Sequence, residues 1–190
     1  MLQVEDQMRF IFLEYSHRYG KADGYFSFET NMPQGKSPSN IIIFYWVTKG
    51  PQSSTTFCTL GVSEHPMNNG ERAEMHLTLK RKMNPDQIMD FCYFIANFAI
   101  YPFLHEFALT WWSLIIDVGQ VPLYANSSAL LIQPEFSDSE LNDISIGEDS
   151  IRLYNIVPLT NNETQIAQHK GIPELLDYIV ENEIDMLNIR

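Results

Sequence analysis

Residues 59–79 read TLGVSEHPMNNGERAEMHLTL. Within 71–79, Ala73, Met75, Leu77 and Leu79 recur at every second position after Glu71, and Arg72, Glu74, His76 and Thr78 fill the alternate positions. A period of two is the signature of a strand with one apolar and one polar face. STTFCTLGV (54–62) reads as a second strand. The link SEHPMNNG carries Pro66 and the Asn69-Gly70 pair, both turn formers. The stretch therefore predicts an antiparallel hairpin whose connection is longer than the tight two-residue type.

The same stretch is rich in groups that do chemistry: Glu64, His65, Glu71, Glu74 and His76. One reading makes His65, Glu74 and His76 a metal or acid–base site, since catalytic zinc takes three protein ligands and keeps one position open. No H-E-x-x-H or C-x-x-C spacing accompanies them. Ser63 stands two residues from His65, but nucleophilic triads are built in space and adjacency carries little weight. No G-x-S-x-G, phosphate loop or dinucleotide fingerprint is present. The other reading is structural: His65-Pro66 stiffens the turn, and Arg72, Glu74 and His76 form a row of charges that neutralise one another.

Outward from the hairpin, residues 3–19 show apolar positions at helical spacing (Met8, Ile11, Phe12, Tyr15, Tyr19), with Gly20 as a stop. YFSFET (25–30) alternates like a strand. IIIFYWV (41–47) reads as a strand buried on both faces. After the hairpin, Asn84-Pro85-Asp86 caps a helix expected to run to about Tyr101, before Pro102, and to fill the core. Phe103 to Tyr124 resists assignment. SALLIQPEF (128–136) and SIRLYNIVPL (150–159) read as strands flanking an acidic loop. Thr160, with Glu163 three residues on, opens a helix over 161–169 as a capping box. Gly171 breaks the chain, and Pro173 starts a last helix ending near Ile184. This order predicts an α+β (mixed α/β) fold: a single domain over 1–190 with a central mixed or antiparallel sheet flanked by helices.

The composition, 45% apolar and 19% charged over 190 residues, suits one folded domain. The net charge of −12 is unevenly placed: nine Lys/Arg face ten Asp/Glu up to Ile95, and three face fourteen beyond it. An acidic body of this kind repels nucleic acid and anionic lipid and attracts a basic protein. Cys58 and Cys92, both in apolar runs, are expected to be buried free thiols. The apolar window 91–116 is interrupted by Asn97, Pro102, His105 and Glu106, which argues against a membrane span. Without a signal-peptide pattern at the start, the location expected is cytoplasmic. Trp111-Trp112 reads as core or as a lid over the sheet. Glu106, set in the apolar window, should be paired if it is buried, with an imidazole or with Arg72.

Taken in order, T-L-G-V-S-E-H-P-M (with Gly61, His65 and Pro66), E-R-A-E-M-H-L, E-F-A-L-T-W-W, L-L-I-Q-P, V-P-L-T-N-N-E (with Pro158, Thr160 and Glu163) and G-I-P-E-L-L-D (with Gly171) resemble the suppressor of fused domain family. The likeness runs from about residue 25 to Arg190, where the family often has an arginine. It implies a non-enzymatic protein-binding module of the short, single-domain bacterial type, for which an immunity role against polymorphic toxins has been proposed. The animal member clamps a peptide as an added β-strand, so a cytosolic regulatory scaffold working by strand addition is a further alternative. The family implies no catalytic residue and no cofactor. With the acidic charge, the expected partner is a basic protein, and the candidate surfaces are the turn at Glu64 and His65 and the acidic stretch of Glu135, Asp138, Glu140, Asp143, Glu148 and Asp149.

Overall fold

The computed structural model describes residues 4–30, 37–50, 53–125, 127–134, 142–146 and 149–190. Helix α1 (Val4–Tyr19) is followed by strands β1 (Gly24–Glu29), β2 (Asn40–Val47) and β3 (Thr55–Leu60), a single 3-10 turn (Val62–Glu64) and β4 (Arg72–Leu79). Helices α2 (Pro85–Ala99) and α3 (Tyr101–Leu104) and the two-residue strand β5 (Leu114–Ile115) come next. Strands β6 (Ala129–Gln133), β7 (Asp143–Ile146) and β8 (Asp149–Leu159) and helices α4 (Asn161–Lys170) and α5 (Ile172–Glu181) complete the chain.

The strands form one mixed sheet in the order β1-β2-β3-β4-β8-β6-β5, with β7 also paired to β8. β1 to β4 run as an antiparallel meander, and the β3–β4 hairpin aligns Thr55 with Leu79 and Cys58 with His76. β8 then joins β4 in parallel, with Arg72 opposite Ile151 and His76 opposite Asn155. A parallel neighbour needs a long crossover, and this one carries α2. The α+β class holds, and the strand order, which no local pattern encodes, comes from this crossover.

Each face of the sheet has its own cover. On the first, α2 lies across Ile41, Ile43, Phe57, Met75, Leu77, Leu130, Ile132 and Ile156, which form one continuous core with Phe91, Ile95 and Phe98. Eight of the fifteen α2 residues are buried, as expected for a central helix. Pro85–Leu104 has the length and mean hydropathy (1.2) of a membrane-crossing stretch, and half of it is buried inside the fold. On the second face, Ile11 and Tyr15 of α1 pack with Trp46, Cys58, Leu60, Ile151 and Leu153. Beside them, α4 and α5 set Ala167, Leu175 and Ile179 on Leu131, Val157 and Leu159. The IIIFYWV strand is accordingly packed on both faces, Ile41 and Ile43 towards α2 and Trp46 towards α1.

Three local expectations change. α2 ends at Ala99, before Pro102 as expected but two residues short of Tyr101, and Pro102 sits in the first turn of a further short helix, α3, where its missing N–H is harmless. The acidic loop before β8 contains a strand, because Asp143–Ile146 pairs with Asp149–Arg152. Its alternation buries Ile144 and Ile146 against α1. The unassigned stretch after Phe103 is mostly irregular chain with three short turns, its single short strand pairing Leu114 with Leu131 and Ile115 with Leu130. The caps are as expected. Asn84 and Gln87 form a capping box on α2, Thr160 and Glu163 form one on α4, and Gly171 ends α4 at a φ of 96°.

Candidate functional site

The polar face of β4 lies beneath α1, and its chemistry follows from that burial. Glu74 is 0% exposed. Its Oε1 accepts from the Gly61 N–H (2.9 Å), the Ser63 N–H (3.1 Å) and the Ser63 hydroxyl (2.6 Å), and its Oε2 accepts from the Thr59 hydroxyl (2.6 Å). Gly61 holds a φ of 112°, and a Cβ there would lie 2.6 Å from the Asn40 carbonyl, so only glycine fits this turn. Burial pushes the Glu74 carboxyl up from its ordinary value, and the four hydrogen bonds pull the other way. The carboxylate is a brace that ties the end of β3 to the 3-10 turn.

The expected self-neutralising row of Arg72, Glu74 and His76 does not form. Arg72 donates instead to the backbone carbonyls of Ser63 and Glu64, both at 2.6 Å. His76 Nε2 lies 3.1 Å from the Tyr19 hydroxyl and 3.2 Å from that of Thr78, and its ring stacks on Tyr19 at 6.0 Å. The reason is tertiary: α1 covers this face, and Arg72 and Glu74 are matched to backbone and hydroxyl groups rather than to each other. Nor do His65, Glu74 and His76 converge. His65 is half-buried at the end of the 3-10 turn, both Glu74 oxygens face donors, and His76 faces α1. Among the described residues no three His, Cys, Asp or Glu side chains are placed to hold an ion. The Ser63 hydroxyl donates to Glu74 rather than to His65. Cys58 and Cys92 are buried thiols outside any disulfide, and burial raises the Cys92 pKa to about 12.

A second polar cluster sits at the tip of the hairpin. Arg152 of β8 reaches Glu71 (3.1 Å) and Asp143 (3.2 Å) and lies 4.6 Å from the centre of the Trp111 ring. The Tyr154 hydroxyl donates to the Leu109 carbonyl (2.7 Å) and to Glu71 (3.3 Å). Trp111 thus packs on the α2 core beneath an arginine, and Trp112 packs with the α5 cluster at a φ of 70°, so the pair links two cores at the sheet's end. The third cluster closes the chain. Glu163, almost fully buried, holds Arg190 through both oxygens at 3.0 Å, although the Arg190 Nε–H is off line for a hydrogen bond. Arg190 also donates to the carbonyls of Pro158 and Asp185.

Of the partner-binding candidates, Glu64 is half-buried and accepts weakly from Ser39 (3.3 Å), and His65 is half-buried. Asp143 is tied to Arg152. Glu135, Asp138, Glu140 and Glu148 lie outside the described residues, as does the side chain of Asp149. Glu106 does not meet the condition for pairing. It is exposed at a φ of 51°, and its backbone carbonyl accepts from the Asn68 side chain (2.9 Å), with no hydrogen bond or ion pair of its carboxylate among the described residues. The residue before it ends a four-residue helix, and the chain turns there through a left-handed conformation that points no carboxylate inward. The sequence reading passed over one acidic surface: Glu174, Asp177, Glu181 and Glu183 are all exposed on or just after α5, around Val180, which is 75% exposed. The signal was present in PELLDYIVENE, whose acids recur on the face opposite Leu175 and Ile179.

The model of the suppressor of fused protein family matches residues 35–190. By fold, the chain is similar to a suppressor of fused homologue from Neisseria gonorrhoeae, with a TM-score of 0.72 at 12% identity over 98% of this chain and 95% of that one. It is similar to a chain of the Sufu–Fu complex, with a TM-score of 0.62 at 13% identity over 98% and 89% of the two chains. It also aligns with Drosophila Suppressor of Fused, with a TM-score of 0.60 at 13% identity, and spans 48% of that chain's length. Among curated proteins, none matches significantly by sequence.

Proposed function

The chain belongs to the suppressor of fused protein family, and from that premise we propose that it is a non-catalytic protein-binding module that serves as an immunity protein, neutralising a basic toxin through its acidic surface. The observation that carries the reading is how the polar groups are used. The residues with the strongest catalytic look, Glu74, Ser63 and His76, are hydrogen-bonded within the fold, and Glu163 is held in a buried ion pair. The exposed acids of α5 have no ion-pair partner among the described residues. They supply negative potential without internal neutralisation, which raises the encounter rate with a cationic surface. A related chain, that of the Sufu–Fu complex, is by its name a partner in a protein assembly. Action in the cytoplasm, where such a toxin would have to be intercepted, belongs to the same proposal.

Strand addition is a second reading with its own observation. β1 ends the sheet, and Tyr25 on it is 64% exposed, so an extended peptide has an edge to join.

Co-expression separates these readings from catalysis. The chain is expressed with the protein encoded in the adjacent reading frame, and growth is followed with and without Glu174→Lys, Asp177→Lys and Glu181→Lys together. Protection by the native chain and its loss in the charge-reversed variant are expected. Toxicity undiminished by the native chain contradicts the immunity role.

A further inference from the structure

Asn69-Gly70 is the single Asn-Gly pair in the sequence. Such a pair is chemically labile wherever the chain is loose. The Gly70 backbone nitrogen can attack Asn69 Cγ, because glycine has no side chain to hinder the approach. A nitrogen–carbon bond forms as the Gly70 nitrogen loses its proton, and the Cγ–Nδ2 bond breaks to release ammonia. Water then opens the five-membered imide at either carbonyl and leaves aspartate or isoaspartate. In sum one water is consumed and one ammonia released, and no other reactant is needed.

Both residues are exposed at the tip of the β3–β4 hairpin, and Gly70, at a φ of 83°, has open space around it. Water has access, so what opposes the reaction is geometry. One residue holds the Asn69 carboxamide at both ends: Oδ1 accepts from the Glu71 N–H (3.0 Å), and Nδ2 donates to Glu71 Oε2 (2.7 Å). The attacking nitrogen is engaged too. Gly70 N–H donates to the Met67 carbonyl (2.9 Å), and Met67 N–H donates to that of Glu71 (2.8 Å). Cγ can meet the Gly70 nitrogen only when the bonds to Asn69 and Gly70 break. Glu71 is itself anchored from far along the chain, by Arg152 (3.1 Å) and by the Tyr154 hydroxyl (3.3 Å). A carboxylate so close also disfavours the negative charge that builds on the attacking nitrogen.

We propose that Asn69 is a self-modification site gated by the fold: the Glu71 clamp holds it as asparagine, and opening of the hairpin tip releases it to deamidate. The aspartate product sets a carboxylate against Glu71 Oε2, where Nδ2 now donates. Like charges repel at that distance, so the contact does not re-form and the tip stays released. The change also adds a negative charge to the hairpin link that carries Glu64 and His65. The inference stands apart from the protein-binding reading.

The test holds the full chain in mildly alkaline buffer, with and without denaturing guanidinium chloride. Samples are digested at intervals, and the peptide carrying residue 69 is followed by mass spectrometry for conversion of amide to acid. Deamidation at Asn69 is expected to run at least about tenfold faster in the unfolded chain, a factor that one or two net hydrogen bonds supply. Glu71→Ala, shown by circular dichroism to be folded in the same buffer, should deamidate at least about threefold faster than the native chain. If Glu71→Ala does not fold, Glu71→Asp carries the same comparison, since it keeps the charge and withdraws it from the Asn69 amide. Equal rates in the folded and unfolded native chain, or a folded Glu71 variant no faster than the native chain, overturns the proposal.

Discussion

A carboxylate removed from water needs donors, and Glu74 has four of them within 3.1 Å. Replacing one of its oxygens by an amide nitrogen sets a donor against donors. Glu74→Gln is therefore expected to destabilise the fold by about 1–3 kcal/mol, read as a lower urea midpoint at an unchanged slope. Glu106→Gln makes the contrast. Its side chain is exposed and has no ion-pair or hydrogen-bond partner among the described residues, so its midpoint should match the native chain, and Glu106→Gly should equal or exceed it by relieving the positive φ. Local pattern puts these two glutamates in the opposite environments from those they occupy. Glu74 sits on a polar face that only the distant α1 covers, and Glu106 sits in an apolar run that ends in a turn. The burial of one and the exposure of the other depend on contacts across many residues, which a local pattern does not carry.

Elements whose ends are set by neighbouring residues were legible: Asn84 with Gln87 and Thr160 with Glu163 each close a capping box within four positions. β7 was hidden, because DISI is short and lies among acids, and only its pairing with β8 makes it a strand. The last element to be fixed is the segment after α5, which Arg190 straps to Glu163 and to the Pro158 carbonyl. Glu163 and Arg190 side chains are 3% and 15% exposed. Removing one partner strands a buried charge, so Arg190→Met should cost about 3–5 kcal/mol. Pairing it with Glu163→Gln should cost clearly less than the two single changes summed, as a double-mutant cycle in urea would read. The same segment is held by Lys80–Asp185 at 2.5 Å, and the Lys80 hydrogen bond lowers the Asp185 carboxyl below its ordinary value. A lowered folded-state value means this contribution is present above the ordinary 3.8 and is lost as pH falls through the depressed value. The stability gap between the native chain and Asp185→Asn should therefore be small and salt-sensitive at neutral pH, and should close under strong acid.

At the scale of the molecule, the sheet divides the chain into a first face filled by α2 and a second face shared by α1 and by α4 with α5. Fold class and most strands were readable from periodicity, since hydrophobic faces repeat at two or at three to four residues. The order that places β8 beside β4 was not, because the parallel pairing is made across a long intervening stretch of chain. The uneven charge, by contrast, was plain in the sequence, and the fold gives it a location: the acids of α5 face outward while Glu163, Asp143 and Asp185 hold arginines and a lysine. On the proposed reading, such a molecule acts by its charged shape. The most direct test of the proposed role is the dissociation constant for whatever protein the adjacent reading frame encodes, measured by calorimetry at low and at high salt. Nanomolar binding that weakens about tenfold or more as added salt screens the surface charges is expected; an affinity indifferent to salt, or no binding at either, contradicts the account.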